Sequence, residues 1–366
     1  MKLGILGGGQ LGLMTVLDAR RLGITTIVLD PDPSAPARPY ADEFIRGPLD
    51  DEVSIRRVVS ASDVTTFEIE HIATEVLLRL EAERHVFHPS AAVLATIQDK
   101  LAQKQLFDRA GIPVPRFSPV GADWNEWPAI WKARRGGYDG RGVQVVHGPA
   151  DVPADVPGML ELLIPVATEI AVLIVRGAET DAVFPIMEMA FEAEANICTE
   201  VFAPATISRD VTDRATEIGR ATVAALGGRG VFAVEMFVTP SGELYVNEVA
   251  PRPHNSGHLT IEACETSQFE QHVRAVLGLP LGSPRLICPA AMRNLLGAAD
   301  GGTGRTRVSG LDDALAVPGA RLHLYGKHDC RPFRKMGHVT AVARTVDEAR
   351  DRAAAAAAAT RITGER

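Results

Sequence analysis

Cysteine is scarce in this chain, and Cys198, Cys264, Cys288 and Cys330 stand far apart without a CxxC pair. Such spacing makes neither a zinc site nor a disulfide framework, so reduced thiols of a cytosolic protein are expected. Basic charge is also in deficit, with 38 Lys and Arg against 46 Asp and Glu and a net charge of −8. A general nucleic-acid binder normally carries a basic face, so that class is set aside; small anionic substrates can still meet local basic clusters. No apolar run is long enough to span a membrane. The opening Met1-Lys2-Leu3-Gly4-Ile5-Leu6 leads straight into a glycine loop without the layout of a signal peptide. There is no internal repeat. These absences predict a soluble, cytoplasmic protein.

What remains is ordinary globular composition, 46% hydrophobic and 23% charged over 366 residues, enough for two or three packed domains. Apolar runs at 3–6, 25–29 and 64–67 alternate with helical patterns at 11–22 and 74–84, which predicts crossover units and a parallel sheet. A long helix is expected over 96–110, closed by Gly111-Ile112-Pro113. Further strands are expected at 129–134, 143–146, 170–175, 183–187, 231–238 and 244–249, the last two joined by a Ser241-Gly242 hairpin turn. Pro/Gly-rich stretches at 148–158 and 278–289 read as lobe boundaries or surface loops. The alanine run 353–359 reads as a C-terminal helix.

Four groups of residues can carry chemistry. Gly7-Gly8-Gly9-Gln10-Leu11-Gly12 lies between a strand and a helix, where the backbone approaches a phosphate and the helix N-terminus supplies N–H donors. With Asp30 at the end of the second strand, it equally fits a dinucleotide site, and a turn that binds nothing is the plain alternative. Second, Lys132 precedes Gly136-Gly137-Tyr138-Asp139-Gly140-Arg141-Gly142, a glycine flap able to wrap phosphate oxygens, with Lys100 as a further cation. Third, Glu235 sits in an apolar strand and Glu248 on the other arm of the hairpin; two such acids can converge on Mg²⁺ or remain polar strand positions. The following loop, Asn247 to His258, is dense in hydrogen-bonding groups. There Arg252 can hold an oxyanion that Asn255 and His258 orient. Fourth, Lys327, Arg331, Arg334 and Lys335 form a late basic cluster, either a phosphomonoester site or a solvated face.

In order along the chain, GGGQLG at 7–12, TFEIEH at 66–71, QDK at 98–100, GGYDGRG at 136–142, NEVAPRPHNSGH at 247–258, SQFEQH at 267–272, LHLYGK at 322–327 and RKMGH at 334–338 resemble the N5-carboxyaminoimidazole ribonucleotide synthetases of the ATP-grasp superfamily. The resemblance implies a mixed α/β and α+β fold: a Rossmann-like domain at 1–98, an ATP-grasp domain at 99–284 whose small lobe spans 99–160, and a C-terminal domain at 285–366. It implies ATP as co-substrate between the central and C-terminal lobes, Mg²⁺ (or Mn²⁺) on Glu235 and Glu248, and a homodimer. Lys100, Lys132, the flap residues Gly137, Tyr138, Asp139, Gly140 and Gly142, the hinge Glu161 to Leu163, Glu169 and Asn247 would meet the nucleotide. Gly8, Gly9, Gln10, Leu11, Tyr138, Asp139, Lys327, Arg334 and Lys335 would meet aminoimidazole ribonucleotide, and Arg252, Asn255, His258 and Lys327 would serve the carboxylation, with bicarbonate as the carbon source.

Two departures stand out: Glu188 to Glu194 replaces a usual Glu-Asn, histidine and glycine, and Arg293 replaces a usually apolar residue. Three rival readings are an NAD-dependent oxidoreductase, a non-catalytic nucleotide-binding scaffold, and an ATP-grasp ligase for another amine. The first leaves the flap and the acidic pair without a role.

Overall fold

The structure is a computed structural model that describes residues 1–137, 142–192 and 197–365. The N-terminal third comprises β1 (Lys2–Leu6), α1 (Gln10–Arg21), β2 (Thr25–Asp30), β3 (Glu43–Arg46), α2 (Glu52–Ala61), β4 (Val64–Phe67) and α3 (Thr74–Ala82). Its sheet is parallel, in the order β3-β2-β1-β4. Leu3, Ile5 and Leu6 of β1 and Ile27 to Leu29 of β2 are all buried, as a sheet covered on both faces requires. Register places Leu6 beside Leu29 and Phe67, so the glycine loop, Asp30 and Glu68 leave the same carboxyl edge together.

The helix expected over 96–110 is two helices, α4 (Ala91–Gln98) and α5 (Lys100–Arg109). Asp99 breaks it: its backbone is extended and its side chain accepts from the N–H groups of Leu101 and Ala102, capping α5. Arg134 holds the same carboxylate. A small antiparallel sheet follows, β5 (Phe117–Pro119), β6 (Ala129–Ala133), β7 (Val143–Val146) and β8 (Gly158–Leu162), in the order β5-β8-β6-β7 over its own core of Ala129, Trp131, Val146 and Leu160. Stretch 148–158 joins β7 to β8 within this sheet and is therefore a surface loop.

The remainder runs β9 (Thr168–Arg176), β10 (Asp181–Val183), β11 (Met187–Glu192), β12 (Ile197–Ala203), α6 (Arg209–Leu226), β13 (Gly230–Val238), β14 (Leu244–Ala250), α7 (Thr260–Ala263), α8 (Gln268–Val276), β15 (Ala290–Leu296), β16 (Gly304–Ser309), α9 (Leu311–Ala316), β17 (Ala320–Leu324), β18 (Asp329–Cys330), β19 (Lys335–Val342), α10 (Val346–Ala359) and β20 (Arg361–Glu365). One sheet, β14-β13-β9-β11-β12-β15-β19-β17, crosses the whole of it, because β12 pairs with β15 from Glu200↔Arg293 to Ala203↔Ala290. The single strand expected at 183–187 is interrupted between β10 and β11, where Pro185 has no N–H for a ladder. The alanine run does form a helix, α10, and buries Ala349, Ala353 and Ala356. No helix among the described residues is long and apolar enough to cross a membrane.

Candidate active site

A cleft of about 1380 Å³ lies between the small sheet, the β13–β14 hairpin and the N-terminal glycine loop. Lys132 projects from β6 and donates to Asn247 Oδ1 of β14 at 2.9 Å. Lys100, set by the Asp99 cap at the start of α5, pairs with Glu248. Against the penalty of burial, Glu248 raises the proton affinity of Lys100. The expected adenine-hinge residue Glu161 is differently engaged: its carboxylate is buried between Lys132 Nζ at 2.5 Å and Lys104 Nζ at 2.8 Å. Burial alone would raise Glu161, but the two ammonium groups hold it at about 2. Leu163 is exposed on the cleft wall beside it.

Glu235 and Glu248 are cross-strand neighbours in the β13–β14 ladder, at a bulge after Glu235. Burial, then the charges of Glu248 and Glu169, raises the Glu235 carboxyl, whereas Lys100 beside Glu248 holds that carboxyl down. The pair thus carries one firm negative charge and one that a cation must stabilise. Glu169 on β9 is lifted to about 7 by burial, with Lys132 opposing and Glu248 adding. Among the described residues no group of three or more His, Cys, Asp or Glu forms a metal cage by itself. Two facing carboxylates of hard oxygen, without such a cage, fit Mg²⁺, which takes one or two protein carboxylates and completes its shell with phosphates and water.

The 247–258 loop closes the far side. Arg252 pairs with Glu70 Oε1 at 2.6 Å and donates to Pro253 O at 3.0 Å, while its buried Nε has no partner. Asn255 exchanges two hydrogen bonds with Asn294 of β15, at 2.8 and 2.9 Å, so the loop is fastened to the large sheet. His254 Nε2 stands 3.3 Å from Glu235. His258 is 1% exposed and sits against Phe269, Tyr325 and His338, the last with ring centroids 4.6 Å apart. Burial, with His254 and other cations adding, keeps it a neutral imidazole.

At the other end of the cleft stand Gln10, Leu11, Lys327, Arg334 and Lys335. Lys327 lies 5.5 Å from the Tyr325 ring centroid and donates to Lys335 O at 2.7 Å; burial, with Arg334 adding, lowers it to about 8. Two N–H groups expected to face a phosphate are otherwise used: Gly8 donates to Asp30 Oδ2 at 2.7 Å and Gly9 to Glu68 Oε1 at 2.8 Å. Gly12 donates to the second Glu68 oxygen at 3.0 Å.

Lys100, Lys132, Glu235, Asn247 and Glu248 therefore converge, with Glu169 on the adjoining strand. Arg252, Asn255 and His258 line the same space. The cations suited to a nucleotide lie between the small sheet and β13–β14, not between the central and C-terminal lobes as expected. Tyr138, Asp139 and Gly140 lie outside the described residues, as does part of the divergent 188–194 segment. Within that segment Glu188 braces the fold, accepting from Thr168 Oγ1 at 3.1 Å and Thr206 N–H at 2.8 Å, and Met189 and Phe191 line the cleft. Sequence reasoning missed Glu68, Glu70, Lys104 and Asn294. The TFEIEH string signalled the first two without giving them a role; nothing local signalled the others.

Three family descriptions match in succession: the ribonucleotide synthetase preATP-grasp domain over residues 1–98, the ATP-grasp domain over 105–269, and the phosphoribosylaminoimidazole carboxylase C-terminal domain over 290–352. The N5-carboxyaminoimidazole ribonucleotide synthase of Synechococcus elongatus is 38% identical over 92% of this chain and 88% of its own. The chloroplastic phosphoribosylaminoimidazole carboxylase of Vigna aconitifolia is also 38% identical, but the chain spans only 64% of that longer protein. The crystal structure of N5-carboxyaminoimidazole ribonucleotide synthetase from Thermotoga maritima superposes with a TM-score of 0.91 at 43% identity, covering 100% of this chain and 99% of that one. The Aspergillus clavatus synthase, in complex with ADP and 5-aminoimidazole ribonucleotide, gives 0.87 at 34% identity over 96% of each chain.

Proposed function

This chain belongs to the N5-carboxyaminoimidazole ribonucleotide synthase family of ATP-grasp enzymes, and we propose from that premise how its own residues divide the reaction. It is an ATP-dependent ligase that carboxylates 5-aminoimidazole ribonucleotide in purine biosynthesis. The carboxyl source is bicarbonate. An oxygen of bicarbonate attacks the γ-phosphorus of ATP, the bond to ADP breaks, and carboxyphosphate forms. The exocyclic amine of the ribotide then bonds to the carboxyl carbon, directly or after CO₂ is released, phosphate departs, and the amine proton is lost to phosphate or water.

Lys100 and Lys132 hold the phosphates and offset charge developing on the transferred group. Glu235 and Glu248 would hold Mg²⁺, which would supply Lewis-acid charge to the phosphoryl transfer. Glu169 takes the ribose hydroxyls, and the backbone from Glu161 to Leu163 takes adenine, since the Glu161 carboxylate is already engaged. Arg252 receives the bicarbonate oxyanion through its unpartnered Nε; Asn255 and His258 set the orientation of that group. The ribotide phosphate falls to Lys327, Arg334 and Lys335 with Gln10 and Leu11, because the N–H groups of Gly8 and Gly9 are taken by carboxylates. The resemblance assigns the approach to the imidazole to Tyr138 and Asp139, which lie outside the described residues. The working partition is 1–98 for the ribotide side, 99–284 for ATP, and 285–366 for the second wall of the ribotide site.

The observation that carries this division is the joining of two cations from separate elements to the acidic hairpin, Lys100 to Glu248 and Lys132 to Asn247. The oxidoreductase reading lacks its key residue, since Asp30 is spent on Gly8 instead of facing a ribose. A coupled ADP-release assay with each substrate omitted in turn tests the proposal. ADP is expected only when ATP, bicarbonate and the ribotide are all present; ADP release that ignores the ribotide would overturn it.

A further inference from the structure

Lys104 takes no part in the division above, yet its side chain is 2% exposed, where an unpaired ammonium is costly. It rises from α5 one turn after Lys100 and donates to Val246 O of β14 at 2.8 Å. Its Nζ is also 2.8 Å from Glu161 Oε1 on β8, an ion-pair contact off the hydrogen-bonding direction. The other Glu161 oxygen faces Lys132 at 2.5 Å, and Lys132 reaches Asn247 at 2.9 Å. One buried carboxylate is therefore shared by two ammonium groups, across three elements that meet at the nucleotide end of the cleft. Sharing sets how tightly each is held. A buried carboxylate with a single cation draws it in at full strength, whereas a second cation on the opposite oxygen weakens that hold.

We propose that Lys104 is a positioning residue for the nucleotide: by neutralising one side of Glu161 it leaves Lys132 anchored but free to turn its ammonium toward a phosphate oxygen. The inference rests on Lys132 being a phosphate ligand. Burial lowers Lys104 to about 8, with the charge of Glu161 opposing. Its bond to Val246 O, two residues before Glu248, ties the same device to the acidic hairpin.

Steady-state kinetics on purified full-length variants separates this role from plain stability. Lys104→Met leaves Glu161 with Lys132 alone and is expected to raise KM for ATP about tenfold, with KM for the ribotide within about twofold of wild type. The double variant Lys104→Met with Glu161→Gln removes the captor as well, and KM for ATP should return to within about threefold of wild type. A double variant no better than Lys104→Met, or ATP and ribotide KM values rising together, would overturn the proposal. Should Lys104→Met alone not fold, Lys104→Gln, which removes the charge but keeps a polar amide, replaces it: KM for ATP should again rise about tenfold, and a value within about twofold of wild type would overturn the proposal. Lys132→Met is the control for the premise. If it leaves KM for ATP unchanged, the phosphate reading of Lys132 fails first; if it raises KM while Lys104→Met does not, only the role of Lys104 fails.

Discussion

Glu248 meets two demands with one carboxylate: it neutralises Lys100 in the resting site and faces Glu235 across the hairpin. Replacing it by glutamine keeps the volume and removes the charge. Lys100 then loses its partner, and the proposed metal keeps only a carboxylate whose proton affinity burial has raised. Glu248→Gln is expected to lower kcat about 10²- to 10³-fold, the range for removing one preorganised electrostatic group, while the far-ultraviolet circular dichroism stays unchanged. Turnover within tenfold of wild type would remove Glu248 from the site. This residue was legible in the sequence because a lone acid in an apolar strand has few benign explanations. Glu161 was legible only as a hinge position. Its partners come from residues 104 and 132, and pairing across such separations leaves no periodic or local trace.

Elements show the same division. Apolar runs and turn residues foretold β1, β2, β4, β13 and β14, since burial on a pleated surface writes itself into spacing. They did not foretell the break at Asp99, where one capping carboxylate outweighs a helical pattern and aims Lys100 at the cleft. Nor did they explain Arg293. On β15 it stands opposite Glu200 of β12, at 3.1 Å, and Arg350 of α10 closes the same carboxylate from the other side at 2.8 Å. Glu200 is 2% exposed, so the arginine that departs from the usual apolar residue is one of two cations that compensate this buried charge, and it joins β15 to β12. Arg293→Leu leaves that buried charge with one partner instead of two. An unfolding free energy lower by about 1–2 kcal/mol is expected, below the 3–5 kcal/mol of a fully stranded charge because Arg350 remains. Urea unfolding measures it, and a variant as stable as wild type would show that Glu200 needs only Arg350.

At the scale of the whole molecule, the N-terminal sheet and the large sheet meet through His272 of α8. Its Nδ1 accepts the Val231 N–H of β13 at 3.1 Å, which leaves Nε2 to donate to Thr66 Oγ1 of β4 at 2.9 Å. Both ring nitrogens are used by the neutral form, and a second proton would break the Val231 bond. Burial, with His88 adding, lowers the ring to about 3 from an ordinary value of 6.5. The sign follows from linkage: above 6.5 neither state binds the proton, whereas between about 6.5 and 3 the unfolded chain binds it and the folded chain does not, so stability falls with pH. Total stability will not report this cleanly, because Glu169, lifted to about 7, binds a proton in the folded state and works in the opposite direction over the same interval. The comparison with His272→Gln isolates the histidine. At pH 7.5 the wild type should be the more stable, having kept both bonds; as pH drops to 5.0 its advantage should shrink by about 1.4 kcal/mol per unit below 6.5, or about 2 kcal/mol in all. Denaturant titrations of both proteins at the two pH values give that difference directly. An advantage that stays constant would mean that His272 titrates alike in both states, and that the neutral ring is not what joins the two sheets.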